Sequence, residues 1–360
     1  MYNSNFARKL LNTNFVGRKY AFEQISNLWT VQPGAPRSML LWGDWSVGKS
    51  EVLRNAEKHL EGIAVAYTNL QRLGCDREVK YVWEALALAV EEACDIVYID
   101  DSFFESPYLS FVECLTHALE RYPNQKLILA IDEYETFLDI PETAEIIEKL
   151  EELTLKHDRL AFLLCGSHHS DRVEIRFKPT RTLWLGAFTK EETLQFINQQ
   201  PYKFDLEAAD RLYELTRGQP WLVRGLCFNI IYEFNEIAEE DHEAPSSVSV
   251  FDVNEIADSD KFYENYNNYF GGLWHRAKLD CGGITLQEIL VELADDTEGS
   301  TIYQIARYIG TRRLKNVTKV CRLAMERHSG SLIVKQWKND VETYRVAIEL
   351  FRRWIVRTQK

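Results

Sequence analysis

The stretch Gly43-Asp44-Trp45-Ser46-Val47-Gly48-Lys49-Ser50 decides how this chain folds. It matches the pattern GxxxxGK[ST] in full and lies between two segments of different character. Before it, residues 38–42 (SMLLW) form a short apolar run of the kind that makes a buried strand. After it, residues 49–60 carry Val52, Leu53, Ala56 and Leu60 at helical spacing. A glycine-rich turn between a strand and a helix N-terminus points backbone N–H groups inward at phosphate oxygens, and the helix end adds a positive dipole. Gly43, Asp44, Trp45, Ser46, Val47 and Gly48 are therefore expected to wrap phosphates. Lys49 is expected to reach the β- and γ-phosphates, and the Ser50 hydroxyl to ligate Mg²⁺.

Further along, residues 126–131 (KLILAI) form an almost continuous apolar run that ends in Asp132-Glu133. Such a run suits a parallel strand covered on both faces. With the phosphate loop, an acidic pair at the end of that strand has a defined chemistry. Asp132 would hold Mg²⁺ through water, and Glu133 would orient and polarise an attacking water. Glu133, Asp132 and Lys49 are thus the expected catalytic residues of phosphoryl transfer to water. Strands are expected at 38–42, 62–67, 126–131, 160–165 and 182–185, alternating with helices at 15–30, 49–60, 79–93, 104–122 and 143–155. That alternation implies an α/β P-loop NTPase core with a doubly wound parallel sheet.

Beyond residue 187 the strands stop. Residues 189–200, 205–216 and 220–234 read as three helices of an all-α lid, and 236–249 (EIAEEDHEAPSSVS) as an acidic linker. A helical stretch is expected at 252–277. Helices follow at 285–294, 301–309 and 314–327, then strands at 332–337 and 342–347 around Lys338-Asn339-Asp340. Three helices and a hairpin outline a C-terminal winged helix–turn–helix. The expected domains are a P-loop ATPase core at 1–187, a helical lid with its linker at 188–250, and a winged-helix domain at 251–360.

Apolar residues make up 46% of the chain and charged residues 27%, which excludes a disordered or collagen-like protein. No uncharged apolar run approaches the roughly 20 residues of a membrane helix. The N-terminus, MYNSNFARKLLN, lacks a secretory apolar stretch. Seven cysteines stand singly at 75, 94, 114, 165, 227, 281 and 321 with no CxxC pair, an arrangement of reduced thiols in a cytoplasmic protein. The net charge of −13 is uneven: residues 301–360 hold fourteen Lys/Arg against four acids, a net of +10, which leaves −23 on residues 1–300. Arg312, Arg313, Lys315, Lys319 and Arg322 lie at the start and along one side of the expected recognition helix, with Lys335, Lys338 and Arg345 on the hairpin. Arg352, Arg353 and Arg357 read as a solvated helix face. Duplex DNA and the acidic body of the chain itself are the two takers for this charge.

Taken together, Phe15-Val16-Gly17-Arg18, the phosphate loop, Ile131-Asp132-Glu133 and Cys165-Gly166-Ser167 resemble the STAND/AAA-like ATPases. Within them the chain looks most like the prokaryotic AAA-like, archaeal-type ATPases, relatives of the archaeal replication initiators. Arg217-Gly218-Gln219-Pro220 looks like the GxP motif of their helical lid, and 344–354 (YRVAIELFRRW) like the close of their winged-helix domain. The resemblance implies that Phe15 and Val16 lie near the adenine, with Gly17 and Arg18 shaping that end of the pocket. Pro220 would contact base or sugar from the lid, and Ser167 would take the polar sensor position. A staple on the following helix is the other reading of Phe15 and Val16, and a plain first-turn residue that of Pro220. Where some signalling members carry an arginine after the 160–165 strand, this chain has His168-His169; Arg172, Arg176 and Arg181 are the nearby candidates for a finger, in cis or on a neighbouring subunit, with a surface or sheet-end arginine as the other reading of each.

The resemblance implies ATP and Mg²⁺ as cofactors and two kinds of output. In one, a slowly hydrolysing ATPase acts as a conformational switch on a separate partner protein, in signalling or defence, with ATP between core and lid. In the other, a DNA-dependent ATPase uses its winged helix on duplex DNA, as replication initiators and transposition regulators do. A nucleotide-dependent homo-oligomer fits either, and no membrane partner is expected.

Overall fold

Five apolar segments pair side by side in the first half of the chain: β1 (Ser38–Gly43), β2 (Ile63–Asn69), β3 (Lys126–Asp132), β4 (Leu160–Gly166) and β5 (Arg181–Leu185). A computed structural model, which describes residues 15–73, 78–140, 142–166, 179–241, 245–327 and 332–359, joins them in the order β2-β3-β4-β1-β5. Every pair is parallel. β1, β3 and β4 are buried almost end to end, which is why their sequences are unbroken apolar runs. Helices α1 (Lys19–Ser26), α2 (Lys49–His59), α3 (Val79–Cys94), α4 (Pro107–Arg121) and α5 (Thr143–Lys156) complete this half. Trp83 of α3, Phe111 of α4, Leu129 of β3 and Phe162 of β4 share one apolar core. The path from β1 leads to β2 at the far edge, whereas β4 leads across β1 to β5. Ligands of open α/β sheets bind at such a reversal, beyond the C-terminal ends of the strands.

Two expectations in this half are corrected at helix ends. The helix expected over 15–30, entered after Phe15-Val16-Gly17-Arg18, does start at Lys19, but it ends at Ser26 and is followed by a 3₁₀ turn over Asn27–Thr30. The helix expected from 104 begins at Pro107, after a separate 3₁₀ turn at Asp101–Glu105. Proline fits the first turn of a helix and breaks its interior, so it marks the start.

The chain forms two compact units, Arg18–Leu185 and Gly186–Lys360, the second also taking in the residues just before Arg18. The second unit contains α6 (Lys190–Ile197), α7 (Leu206–Thr216), α8 (Pro220–Asp241), α9 (Val250–Asp258), α10 (Asp260–Arg276), α11 (Leu286–Asp295), α12 (Ile302–Tyr308), α13 (Leu314–Arg327) and α14 (Glu349–Thr358). Two short strands, β6 (Lys203–Phe204) and β7 (Ser247–Val248), pair in parallel, and β8 (Ile333–Lys338) and β9 (Val341–Val346) form an antiparallel ribbon. Thr189, Ser249, Thr285 and Thr301 each build a capping box, which sets where α6, α9, α11 and α12 begin.

The acidic linker expected at 236–249 is corrected. α8 continues to Asp241, because Glu236, Glu239 and Glu240 are good helix formers, and residues 247–248 are the strand β7. The helix expected at 252–277 is two, divided at Ser259, whose hydroxyl accepts the Phe262 N–H. The apolar core does not divide near residue 250: Phe196, Leu226, Ile256, Phe270, Leu290 and Val320 belong to one cluster. Phe270 of α10 stacks with Phe351 and Trp354 of α14, and the Trp354 indole donates to Asn267 at 2.9 Å. α11, α12, α13 and the ribbon follow in the expected order. Ser300 and Tyr344 exchange two backbone hydrogen bonds (2.9 and 2.8 Å), adding a third, minimal strand to that ribbon. No helix among the described residues is long and apolar enough to cross a membrane.

Candidate nucleotide-binding site

β1 delivers Gly43 to the C-terminal edge of the sheet. A Cβ there would lie 2.4 Å from the Leu185 carbonyl oxygen on β5, so the close approach demands glycine. The loop then passes through two left-handed residues, Ser46 (φ 62°) and Gly48 (φ 94°), before α2 begins at Lys49. Backbone turned this way makes a concave nest of N–H groups suited to an anion. Val47 is buried and anchors the loop; Asp44, Ser46 and Ser50 are half-buried, and Trp45 is exposed. The buried Arg18 guanidinium donates to the Val47 carbonyl at 2.7 Å, which ties the residue before α1 to the loop.

Lys49 is only 6% exposed, unusual for a lysine. Its Nζ donates to the carbonyls of Gly43 (2.9 Å) and Asp44 (2.8 Å). Burial lowers its pKa, while Cys165, Glu135, Glu133 and Asp132 push the other way. The ammonium therefore sits among the loop and the acidic groups at the ends of β3 and β4.

Asp132, 1% exposed, is held on both oxygens. Oδ1 accepts the Glu133 N–H at 3.0 Å, and Oδ2 accepts the Tyr67 hydroxyl at 2.8 Å. Arg54 in turn donates to the Tyr67 oxygen at 3.1 Å and lies over its ring, 5.1 Å from the centroid. Burial, then the Asp132 charge, raises the Tyr67 pKa to about 12, so this phenol is a neutral donor. Glu133 is half-buried in a left-handed conformation (φ 55°). Burial first, then Glu135 and Asp132, raises its pKa, opposed by Lys49. Burial holds the Cys165 thiol neutral beside Asp132. A Cβ on Gly166 would come 2.2 Å from the Tyr134 ring and 2.5 Å from Glu135 Oε1, so the turn after Glu133 packs directly on the end of β4.

These groups suit a phosphate and a hard divalent cation. The Ser50 hydroxyl and Asp132 carboxylate are oxygen donors of the kind Mg²⁺ takes, and Mg²⁺ usually adds phosphates and waters to one or two protein ligands. A carboxylate has roughly four acceptor positions, and the two bonds on Asp132 leave others for metal-bound water. Among the described residues, no three His, Cys, Asp or Glu are grouped to hold a metal by themselves.

The structure thus brings Arg18, the loop, Lys49, Ser50, Asp132 and Glu133 into one unit. Val16 is buried in the core of the other unit with Phe196, Phe15 is half-buried, and Gly17 follows them. The staple reading is corrected: Arg18 is the N-cap of α1, so the position before it is Gly17, which has no side chain to pack. Pro220 is the first residue of α8 and half-buried. Ser167, His168, His169, Arg172 and Arg176 lie outside the described residues. Arg181 takes the sheet-end reading, away from this chain's own phosphate loop. It starts β5 opposite Met39, four residues from the Gly43–Leu185 end, about 13 Å away at strand rise, and it donates to Thr30 at 2.9 Å. Tyr67 and its partner Arg54 were not legible as site residues, because only the strand order brings β2 beside β3. Glu135 stands two residues after Glu133, and it is the packing of that turn on the end of β4 that draws it in.

In the C-terminal module, Lys315, Lys319 and Arg322 line the exposed face of α13, opposite buried Val317, Val320, Cys321 and Ala324. Arg312 and Arg313 are exposed just before it, and Arg313 donates to the Gly282 carbonyl at 2.9 Å. The ribbon lysines are paired: Lys335 with Glu342 at 2.9 Å, and Lys338 with Glu298. The solvated-face reading of α14 is corrected. Arg352 and Arg353 both bond Glu349, Arg353 also pairs with Asp258 at 2.6 Å, and Arg357 pairs with Asp260.

No family model and no curated protein matches this sequence. Among solved structures, a Walker-type ATPase of Pyrococcus abyssi superposes with a TM-score of 0.60 at 13% identity, over 96% of this chain and 97% of its own. The ADP form of the ORC2 protein of Aeropyrum pernix gives 0.53 at 15% identity, over 97% of this chain and 98% of its own. With the parallel sheet ordered β2-β3-β4-β1-β5 and a C-terminal helical region, this chain has the P-loop NTPase fold.

Proposed function

We propose that the protein binds ATP with Mg²⁺ and hydrolyses it slowly, as a nucleotide-dependent switch acting on a separate partner protein. The observation that carries this reading is the meeting of Lys49, Asp132 and Glu133 at the C-terminal edge of the sheet, beside a loop bent through two left-handed residues. Loop N–H groups and Lys49 bind the phosphates, the lysine exchanging its carbonyl partners for phosphate oxygens. Ser50 and Asp132 would hold Mg²⁺, which when bound neutralises phosphate charge. Glu133 orients the attacking water and draws off its proton. Phe15, Val16, Gly17, Arg18 and Pro220 are the proposed base and sugar contacts, and Ser167 the proposed sensor; the domain boundaries and cytoplasmic location stand as proposals too. Replacing Lys49 with Ala removes the loop's side-chain cation. A folded Lys49→Ala protein should lose most of its affinity for a fluorescent ATP analogue, and unchanged affinity would sink the assignment.

A second reading, a DNA-binding ATPase with a winged helix, draws on one observation. Arg312, Lys315 and Lys319 are exposed on and before α13 and make no ion pair with a described residue, whereas the ribbon lysines and the α14 arginines are neutralised within the unit. Light scattering in ADP and in a non-hydrolysable ATP analogue, with and without duplex DNA, separates a switch or homo-oligomer from a DNA-bound assembly.

A further inference from the structure

Resting on the reading that this site holds Mg²⁺ and ATP, we propose that Tyr67 is a positioning residue for the metal and that Arg54 is its anchor. The two tie the helix bearing Ser50 to the strand bearing Asp132. Tyr67 lies on β2 opposite Ala130, two residues short of Asp132, and its hydroxyl reaches the carboxylate at 2.8 Å. Arg54 is four residues after Ser50, on the same side of α2. It bonds the Tyr67 oxygen at 3.1 Å, stacks over the ring and is steadied by Glu51 at 3.1 Å. The chain of contacts therefore runs from α2 through β2 to the end of β3, joining the two proposed holders of Mg²⁺.

Mg²⁺ demands near-ideal octahedral geometry, so the placement of Ser50 and of the carboxylate that holds its water ligands matters more than for a larger cation. Hydrogen-bonded partners that orient a ligating carboxylate tune metal affinity without touching the metal. Asp132 is 1% exposed, so bulk solvent does not stand ready to fix the orientation that the Tyr67 hydroxyl sets. Removing the Tyr67 hydroxyl would leave Oδ2 without its present donor and the carboxylate free to rotate, which opposes Mg²⁺. The phosphates are held by the loop and Lys49, so nucleotide affinity without metal does not depend on Tyr67.

Tyr67→Phe keeps the ring, its packing and the Arg54 stacking, and removes one oxygen. The experiment measures the affinity of a fluorescent, non-hydrolysable ATP analogue in EDTA and across a Mg²⁺ titration, with a thermal melt of each protein. Affinity in EDTA should stay within about twofold of the parent. The gain in affinity on adding Mg²⁺ should fall about tenfold, as expected for one hydrogen bond to a charged group, with half-saturation moved to higher Mg²⁺. Arg54→Ala, at a half-exposed position that folding tolerates, should lose a smaller part of the same gain. It should add nothing when combined with Tyr67→Phe, since both act through one contact. A full Mg²⁺ gain in folded Tyr67→Phe overturns the proposal, and so does an equal loss in EDTA and in Mg²⁺, which would mean general damage to the site. If Tyr67→Phe does not fold, an unchanged Mg²⁺ gain in Arg54→Ala overturns it. A parent protein that binds no analogue overturns the nucleotide-site reading itself, a distinct result.

Discussion

Glu133 and Lys49 show how a nearly dry site sets the ionisation of its groups. Burial disfavours the charged form of each, and their mutual attraction opposes that effect. For Glu133 the two neighbouring carboxylates add to burial, so its pKa is raised from that of an ordinary glutamate. A base that must be ionised loses activity as pH falls through its pKa. The acid limb of kcat/KM for ATP hydrolysis should therefore lie at higher pH than an ordinary glutamate gives. Glu135→Gln removes the larger of the two charge contributions and should move that limb down in pH; a limb that stays in place would free Glu135 of this role. Glu133→Gln keeps shape and removes the carboxylate. Analogue binding should be kept while turnover falls by about 10²-fold or more, measured as phosphate release at saturating ATP.

The elements around the site are fitted to one another closely enough that single atoms matter. Gly166 ends β4 where the 3₁₀ turn Tyr134–Asp139 packs on it. An added methyl would overlap the Tyr134 ring and the Glu135 carboxylate. Gly166→Ala should cost about 1–3 kcal/mol in urea denaturation, the usual range for overpacking. Because the segment that must shift follows Glu133, turnover should fall further than nucleotide affinity. Equal stability and turnover in parent and variant would show that the turn yields freely.

At the scale of the whole molecule, the charge asymmetry is the feature with a measurable consequence. Ion pairs within the C-terminal unit already occupy the ribbon lysines and the α14 arginines. If the DNA reading holds, Arg312, Arg313, Lys315 and Lys319, exposed on and before α13, are the first cations open to displace counterions. The slope of log affinity against log salt should then be about −3.6 for those four, at roughly −0.9 per phosphate. Changing Arg312, Arg313 and Lys319 together to Ala should weaken duplex binding and flatten the slope by roughly one unit per lost contact. ATP affinity should be unaffected. Binding that is absent at physiological salt in both nucleotide states would remove the DNA reading and leave the switch.

What the sequence determined by itself is whatever is written locally. The phosphate loop, the apolar strand ending in Asp132-Glu133 and the alternation of strands and helices each occupy one contiguous stretch. Periodicity and turn chemistry report directly on such stretches. The helices of the C-terminal half were legible for the same reason, as at Thr285 and Thr301, where threonine three residues before Glu or Gln marks the start. Only the tertiary structure decided which stretches meet. Strand order set Tyr67 beside Asp132. Parallel pairing with residues 203–204 made a strand of residues 247–248, and Asp258, Asp260 and Glu298 took up charge that the sequence left open to DNA. Each of these is a contact between residues far apart in the chain. Its energy comes from burial and charge pairing after collapse, so no local pattern of residue types records it.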